Sequence, residues 1–313
     1  MNIFLDGCKN HIAIQRMLPH WRGRDVLWYE DPSKCDVQLS LIRIKTETAL
    51  PTVLRLDGIY YDLNTNYIKR NLKICTSHSK ADAVIYQSEY CKGMCEKYLS
   101  ARKEDANSFV IYNGINKEWC GRHNLHSGIN IIVVAHWRRH KRLKEIIDVF
   151  KEVWGGNKEI RLLVIGDLAD NKEVTHPGIK YYHHINYDTT LFANLFTISD
   201  LSIHLSMKDC SPNSVVEAIG AGIPVITTSA CGGATEMCNM VKGCYAVYER
   251  ERSDPCPHYT NVYNMLEYET KKELIALLNE LVRKKQRVKQ PKELSAEYMA
   301  DKYLRVFRGV RDK

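Results

Sequence analysis

No apolar run in this 313-residue chain approaches the roughly 20 residues that a membrane-spanning helix needs, which argues against an integral membrane protein. The opening MNIFLDGCKNH has no basic segment followed by a long apolar one, so no secretory signal is expected. The eleven cysteines are an odd number and form no CxxC pair, which speaks against a zinc site. Scattered thiols of this kind suit a reducing cytosol, where they act as small core residues, and a cytoplasmic location follows as the expectation. GxGxxG is missing, which counts against a nicotinamide dehydrogenase, and so is any DxD pair that would hold a metal. Nucleic-acid motifs and aromatic-interleaved basic segments are absent too, so DNA and RNA are poor partners.

What is present is an ordinary globular composition, 44% hydrophobic and 26% charged, on a chain long enough for two domains. The net charge of +8 gathers at Lys69, Arg70, Lys73 and Lys80, along residues 136–144, and in the tail 283–313. Solvated helix faces explain such clusters, but so does an anionic ligand or an anionic lipid surface, and peripheral membrane contact stays open.

Short apolar runs at 2–5, 26–29, 37–42, 53–56, 83–86 and 109–112 alternate with helix-like segments at 11–18, 67–80 and 91–100. A second series follows the polar stretch 117–128. Its strands are expected at 129–134, 161–165, 179–182, 201–205, 223–228 and 245–247, its helices at 143–154, 189–197 and 271–285. Strands alternating with helices imply a parallel α/β sheet, here twice. The expected domains are 1–125 and 126–295, with a terminal helix from 296 to 313 packing back on the first.

The richest segment is 209–236, DCSPNSVVEAIGAGIPVITTSACGGATE. Asp209 and Glu217 flank Pro212 and Asn213, a helix start whose amides, around Asn213, Ser214 and Val215, suit a phosphate. A small-residue helix, a buried strand and the Gly232-Gly233 loop follow. A strand-to-helix turn at Ala135-His136-Trp137-Arg138-Arg139-His140-Lys141-Arg142 supplies forked and point cations for a diphosphate. Strand 161–165 ends in Gly166-Asp167, another turn on the ligand side.

Asp209-x7-Glu217 with Gly222-Ile223-Pro224-Val225 and Gly232-Gly233-Ala234-Thr235-Glu236 resembles the donor signature of retaining GT-B glycosyltransferases of family 4. The first acid is Asp where that family usually has Glu. Val110-Ile111-Tyr112-Asn113-Gly114-Ile115 and Ala81-Asp82-Ala83-Val84-Ile85-Tyr86-Gln87-Ser88 resemble family strands of the first domain. The resemblance implies two facing Rossmann-like domains with a donor cleft between them. It implies transfer of a hexosyl unit from a UDP- or GDP-linked sugar to a glycan, lipid-linked sugar or glycoprotein acceptor, with no cofactor and no metal. Lys141 with Arg138 or Arg139 would neutralise the diphosphate, Glu217 would bind ribose hydroxyls, and Asp209 would orient the sugar. Gly7 would let backbone approach the donor phosphates. Asp57, in the loop after strand 53–56, stands where relatives have a His touching the donor sugar; Ser88 would face the cleft and Asn113 would mark the hinge. A nucleotide-sugar epimerase or sugar phosphorylase on the same fold, or a non-catalytic sugar-nucleotide or glycan-binding protein, are the rival readings.

Overall fold

The computed structural model describes residues 1–61, 65–99, 107–116, 126–169, 171–185, 190–250 and 265–313. The chain divides into two compact units, Met1–Lys117 with Lys292–Lys313, and Glu118–Pro291.

Unit 1 contains β1 (Asn2–Asp6), α1 (Ile12–Arg22), β2 (Leu27–Tyr29), β3 (Val37–Leu41), β4 (Thr52–Leu56), α2 (Tyr67–Lys80), β5 (Ala83–Tyr86), α3 (Glu89–Tyr98) and β6 (Ser108–Val110). Its sheet has the order β2-β1-β3-β4-β5-β6, and every neighbouring pair is parallel. β3 and β4 are buried at every position, as expected of parallel strands covered on both faces. The buried polar side chains of β3 are tied to Asp6 at the end of β1. Ser40 Oγ and the Lys45 amide each donate to Asp6 Oδ2 at 2.7 Å, and Gln38 Nε2 donates to Ser40 Oγ at 3.0 Å.

Unit 2 contains β7 (Ile129–Val134), α4 (Leu143–Trp154), β8 (Ile160–Ile165), β9 (Ile179–Tyr182), α5 (Thr190–Thr197), β10 (Leu201–Ile203), α6 (Asn213–Gly220), β11 (Val225–Thr228), α7 (Gly233–Asn239), β12 (Tyr245–Val247) and α8 (Tyr268–Lys284). The sheet order is β12-β11-β10-β7-β8-β9, again parallel throughout. Counted from β7 this is 6-5-4-1-2-3, the doubly wound order whose direction reverses between the first and fourth strands. The α/β class read from the alternation therefore holds in both units. The sequence stretch expected to link them falls largely at residues 117–125, outside the described residues.

The last helix, α9 (Ala296–Arg311), belongs to unit 1 and packs on α1. Met299, Ala300, Tyr303, Leu304 and Phe307 share one core with Ile14, Met17 and Trp21. The Trp21 indole donates to the Ala300 carbonyl at 3.3 Å and meets the Phe307 ring edge-on at 5.7 Å.

Several element bounds shift by one to three residues from expectation, and two elements differ more substantially. α1 does not stop at Leu18; it runs through Pro19 to Arg22. Continuation costs the hydrogen bond that Pro19 cannot donate, and burying Trp21 offsets it. Likewise the segment Gly233-Ala234-Thr235-Glu236 is not a loop but the first turn of α7, with Gly232 alone as the turn. Among the described residues no helix is long and apolar enough to cross a membrane.

Candidate functional site

In unit 2 the loops after β7 and β10 meet where the strand order reverses, the place where an open α/β sheet leaves a crevice. Residues after β7 turn sharply. Trp137 is buried, its indole donating to the Ile165 carbonyl at 3.0 Å and its amide to the Asp167 carbonyl at 2.8 Å. That anchor brings Gly166 and Asp167, at the end of β8, beside the basic turn; Gly166 has φ 112°, a backbone state that favours glycine. His136 Nδ1 lies 3.4 Å from Asp167 Oδ2. Arg139–Lys141 form a short 3-10 turn, and Arg142 takes a left-handed conformation before α4 begins.

Lys141 reaches across to the β10 loop. Its ammonium lies 2.5 Å from Asp209 Oδ2. The backbone makes the same connection, since the Met207 amide donates to the His140 carbonyl at 3.0 Å. Burial alone would push the Asp209 carboxyl up, but Lys141, His204 and His140 outweigh it and bring it down to about 2. His204 Nε2 is 3.7 Å from the same carboxylate oxygen, and its Nδ1 is 3.5 Å from Ser214 Oγ. Desolvation lowers His204 to about 4 against the pull of Asp209, so at neutral pH the imidazole is uncharged beside an ionised acid.

α6 starts just beyond. Its Val215 and Val216 amides both turn back to the Pro212 carbonyl, at 3.2 and 3.4 Å. The Val215 amide, expected to face a phosphate, is therefore spent within the first turn of the helix. Glu217 is the fifth residue of α6 and only 3% exposed. The Asp209 carbonyl accepts from the Gly233 amide at 2.8 Å, which fixes the start of α7 against the same loop. Gly232 makes that turn possible with φ 62° and ψ −121°.

Of the cations expected here, Lys141 is engaged with Asp209, whereas Arg138 and Arg139 are exposed. Arg142, not anticipated, is fully buried. It makes a forked pair with Glu249, 2.9 Å from Nη1 to Oε2 and 2.5 Å from Nη2 to Oε1. Thr228 Oγ1 adds a hydrogen bond to Oε2 at 2.6 Å. This pair pins the start of α4 to the ends of β11 and β12. Breaking it would strand one charge in the interior, a loss of about 3–5 kcal/mol for buried pairs of this kind. The partners lie 107 residues apart, and no local signal in the sequence joins them. His204 escaped notice for the same reason, since its role comes from the loops around it.

Unit 1 has its own polar centre at the carboxyl ends of β4 and β5. Asp57 faces Arg55 at 3.3 Å and His11 at 3.6 Å, and accepts from Gln87 Nε2. Arg55 Nη2 donates to Asn113 Oδ1 at 2.9 Å, and Asn113 Nδ2 donates to Gln87 Oε1 at 2.9 Å. The ring thus brings Asp57 and Asn113 together through His11, Arg55 and Gln87, which sequence reasoning did not select. Burial would raise the Asp57 carboxyl, but Arg55 and then His11 hold it below the usual range. Ser88 departs from expectation. It is fully buried, and its hydroxyl caps α3 by accepting from the Cys91 amide at 2.9 Å, as suits a Ser at that position. Gly7 has φ 62°, and its carbonyl accepts from the Lys45 ammonium at 2.9 Å. Asp62, five residues after Asp57, lies outside the described residues. Among the described residues no cluster of His, Cys, Asp or Glu has the arrangement of a metal site.

Two parallel six-stranded α/β units, the second in doubly wound order with its polar loops at the reversal, define a fold of the GT-B glycosyltransferase type. Residues 121–251 match the Glycosyl transferases group 1 family. Among solved structures, WaaG, a glycosyltransferase involved in lipopolysaccharide biosynthesis, superposes with a TM-score of 0.63 at 12% identity, covering 100% of this chain and 99% of that one. Anabaena HepE in complex with UDP-glucose gives 0.62 at 13% identity, covering 98% and 99%. A chain of the GtfA/B complex gives 0.61 at 13% identity; 88% of this chain is covered, and it spans only 57% of that one. At such identities the likeness establishes the fold. Comparison with curated protein sequences finds no match.

Proposed function

We propose that the protein is a cytoplasmic retaining glycosyltransferase that moves a hexosyl unit from a nucleotide diphosphate sugar to a glycan or glycolipid acceptor, without a metal. Residues 126–295 would form the donor domain and 1–125 the acceptor side, with Asp57 and Asn113 on it. The observation that carries this reading is the Lys141–Asp209 pair at the strand-order reversal of unit 2. A lysine held by one carboxylate is a cation that a diphosphate, with its greater charge, can recruit. Recruitment releases Asp209, already ionised, to accept hydrogen bonds from donor-sugar hydroxyls.

In this reading Lys141, Arg138 and Arg139, with the amides of Asn213 and Ser214, stabilise charge that develops on the departing diphosphate. Glu217 accepts from the ribose hydroxyls. The acceptor attacks on the face from which the diphosphate leaves, so configuration is retained and no carboxylate nucleophile is needed. The match of 121–251 to group 1 transferases and the UDP-glucose bound by the structurally similar HepE support a nucleotide-sugar donor.

The test is a panel of UDP- and GDP-linked hexoses assayed for nucleotide release and for the fate of the sugar. Transfer or slow hydrolysis with the anomer retained is expected; an inverted product, or isomerisation of the donor without release, refutes the reading. Glu217→Ala and Lys141→Ala should each lower kcat/KM for the donor by about 100-fold, the scale on which one charge-stabilising group counts. Unchanged kinetics in both would remove these residues from the site.

A further inference from the structure

Unit 1 holds a cavity of about 940 Å³, with Gly7 and His11 in its lining. Its walls are the loops after β1 and β3, Tyr60 beyond β4, and the first two turns of α2. The order β2-β1-β3-β4 reverses direction between β1 and β3, so the cavity stands at the switch point of this sheet. Its size lies within the range of small-molecule sites, roughly 300–1,000 Å³.

The wall is strongly basic. Lys9, Arg43, Lys45, Lys69, Arg70 and Lys73 line it, and among the described lining residues Glu30 is the single carboxylate. Glu30 is matched to Lys9 at 3.8 Å, and Lys45 is turned to the Gly7 carbonyl. Arg70 lies over the Tyr60 ring at 4.9 Å. Arg43, Lys69 and Lys73 have no carboxylate within 4.0 Å among the described residues. Asn66, Lys69, Arg70 and Lys73 fall at helical spacing on one face of α2, whose positive dipole end is at the same place. A merely solvated helix face would spread its cations into water. Here those of α2 converge with Arg43 and Lys45, from another element, on one concave wall.

We infer that this cavity binds a phosphate group of the acceptor, gripped by Arg43, Lys69 and Lys73; the inference rests on the transferase reading for the word acceptor, but not for the phosphate. A sugar phosphate and a phosphate-bearing lipid headgroup present the same chemistry, and the arms of the test tell them apart.

The full-length protein is titrated calorimetrically with glucose 6-phosphate, with glucose, and with vesicles of phosphatidylcholine alone or mixed with phosphatidylglycerol. The same titrations are run on Arg43→Ala/Lys73→Ala and on Lys69→Glu, all exposed positions whose replacement leaves the core intact. Wild type binds a phosphate-bearing probe and not glucose, less tightly as salt rises. The double variant binds it at least about tenfold more weakly, as loss of two charge-assisted contacts implies. Binding of glucose 6-phosphate assigns a soluble sugar phosphate; binding of the mixed vesicles alone assigns a lipid headgroup. Equal affinity in both variants, no binding of either probe, or displacement of glucose 6-phosphate by UDP or GDP overturns the inference, the last by making the cavity a donor site. If wild type binds the phosphate probe but releases nucleotide from no donor, the transferase reading falls and the phosphate pocket stands. If donors are used and no phosphate probe binds, the reverse holds.

Discussion

His140 and His204 flank the Lys141–Asp209 pair, and both are kept neutral by their surroundings. His140 is brought down to about 3 by desolvation and by Lys141, against the opposing pull of Asp209. His204 is brought to about 4, again first by desolvation. In the unfolded chain each would titrate near 6.5. Between pH 6.5 and 4 the unfolded chain therefore binds protons that the folded protein refuses, so stability is full above that window and falls as pH drops through it. The slope is about 1.4 kcal/mol per pH unit for each histidine. Asp209 acts in a lower window. Its contribution, present above the ordinary carboxylate range, is lost only as pH falls toward about 2. Denaturant unfolding of the wild type from pH 7 to 4.5 should show the histidine slope, and His204→Asn should make it shallower by about half. An identical slope in the variant would mean that His204 is not the group being protonated.

At the scale of elements, two glycines separate backbone necessity from mere permissiveness. A Cβ on Gly114 would sit 2.3 Å from the Ser295 carbonyl and 2.5 Å from the Ala296 amide nitrogen, where Ile115 pairs with Ser295. Gly93, inside α3, would meet nothing within 4 Å. Gly114→Ala should therefore destabilise unit 1 by about 2 kcal/mol or more through a clash with main chain. Gly93→Ala should stabilise by about 0.5–1 kcal/mol, because alanine loses less freedom in a helix. Chemical denaturation of both variants is the check, and a stabilised Gly114→Ala would refute the crossing. The contrast also shows what a sequence can disclose. α2, α4, β5, β7, β9 and β12 have the bounds that their apolar periods suggest, since period and burial are local properties. The Asn-Gly pair at 113–114 is visible as a turn, but its reason lies 181 residues away at Ser295. The loop 135–142 announces charge for a diphosphate. That Lys141 chooses Asp209 while Arg142 chooses Glu249 depends on the strand order, which no local pattern encodes.

For the whole molecule, the same dependence on distant partners makes the last 22 residues part of the first unit. Lys292–Lys313 returns to Met1–Lys117, and α9 closes the core over α1. Met299, Tyr303, Leu304, Phe307 and Val310 are each no more than 6% exposed. At about 2 kcal/mol per buried large apolar side chain, these five contribute on the order of 10 kcal/mol, comparable to the whole stability of a domain. A chain ending at Pro291 should thus retain a folded unit 2, which draws none of its core cluster from α9, and lose the cooperative folding of unit 1. Trp21 reports the difference, since its indole is buried against Ala300 and Phe307. Limited proteolysis of the truncated chain should digest the region before residue 117 while a fragment near 126–291 survives. Tryptophan emission should shift to the red as Trp21 reaches water. Survival of both fragments with unshifted emission would show that α1 and the sheet of unit 1 stand without their terminal helix, and that the buried area assigned to α9 contributes far less than its size implies.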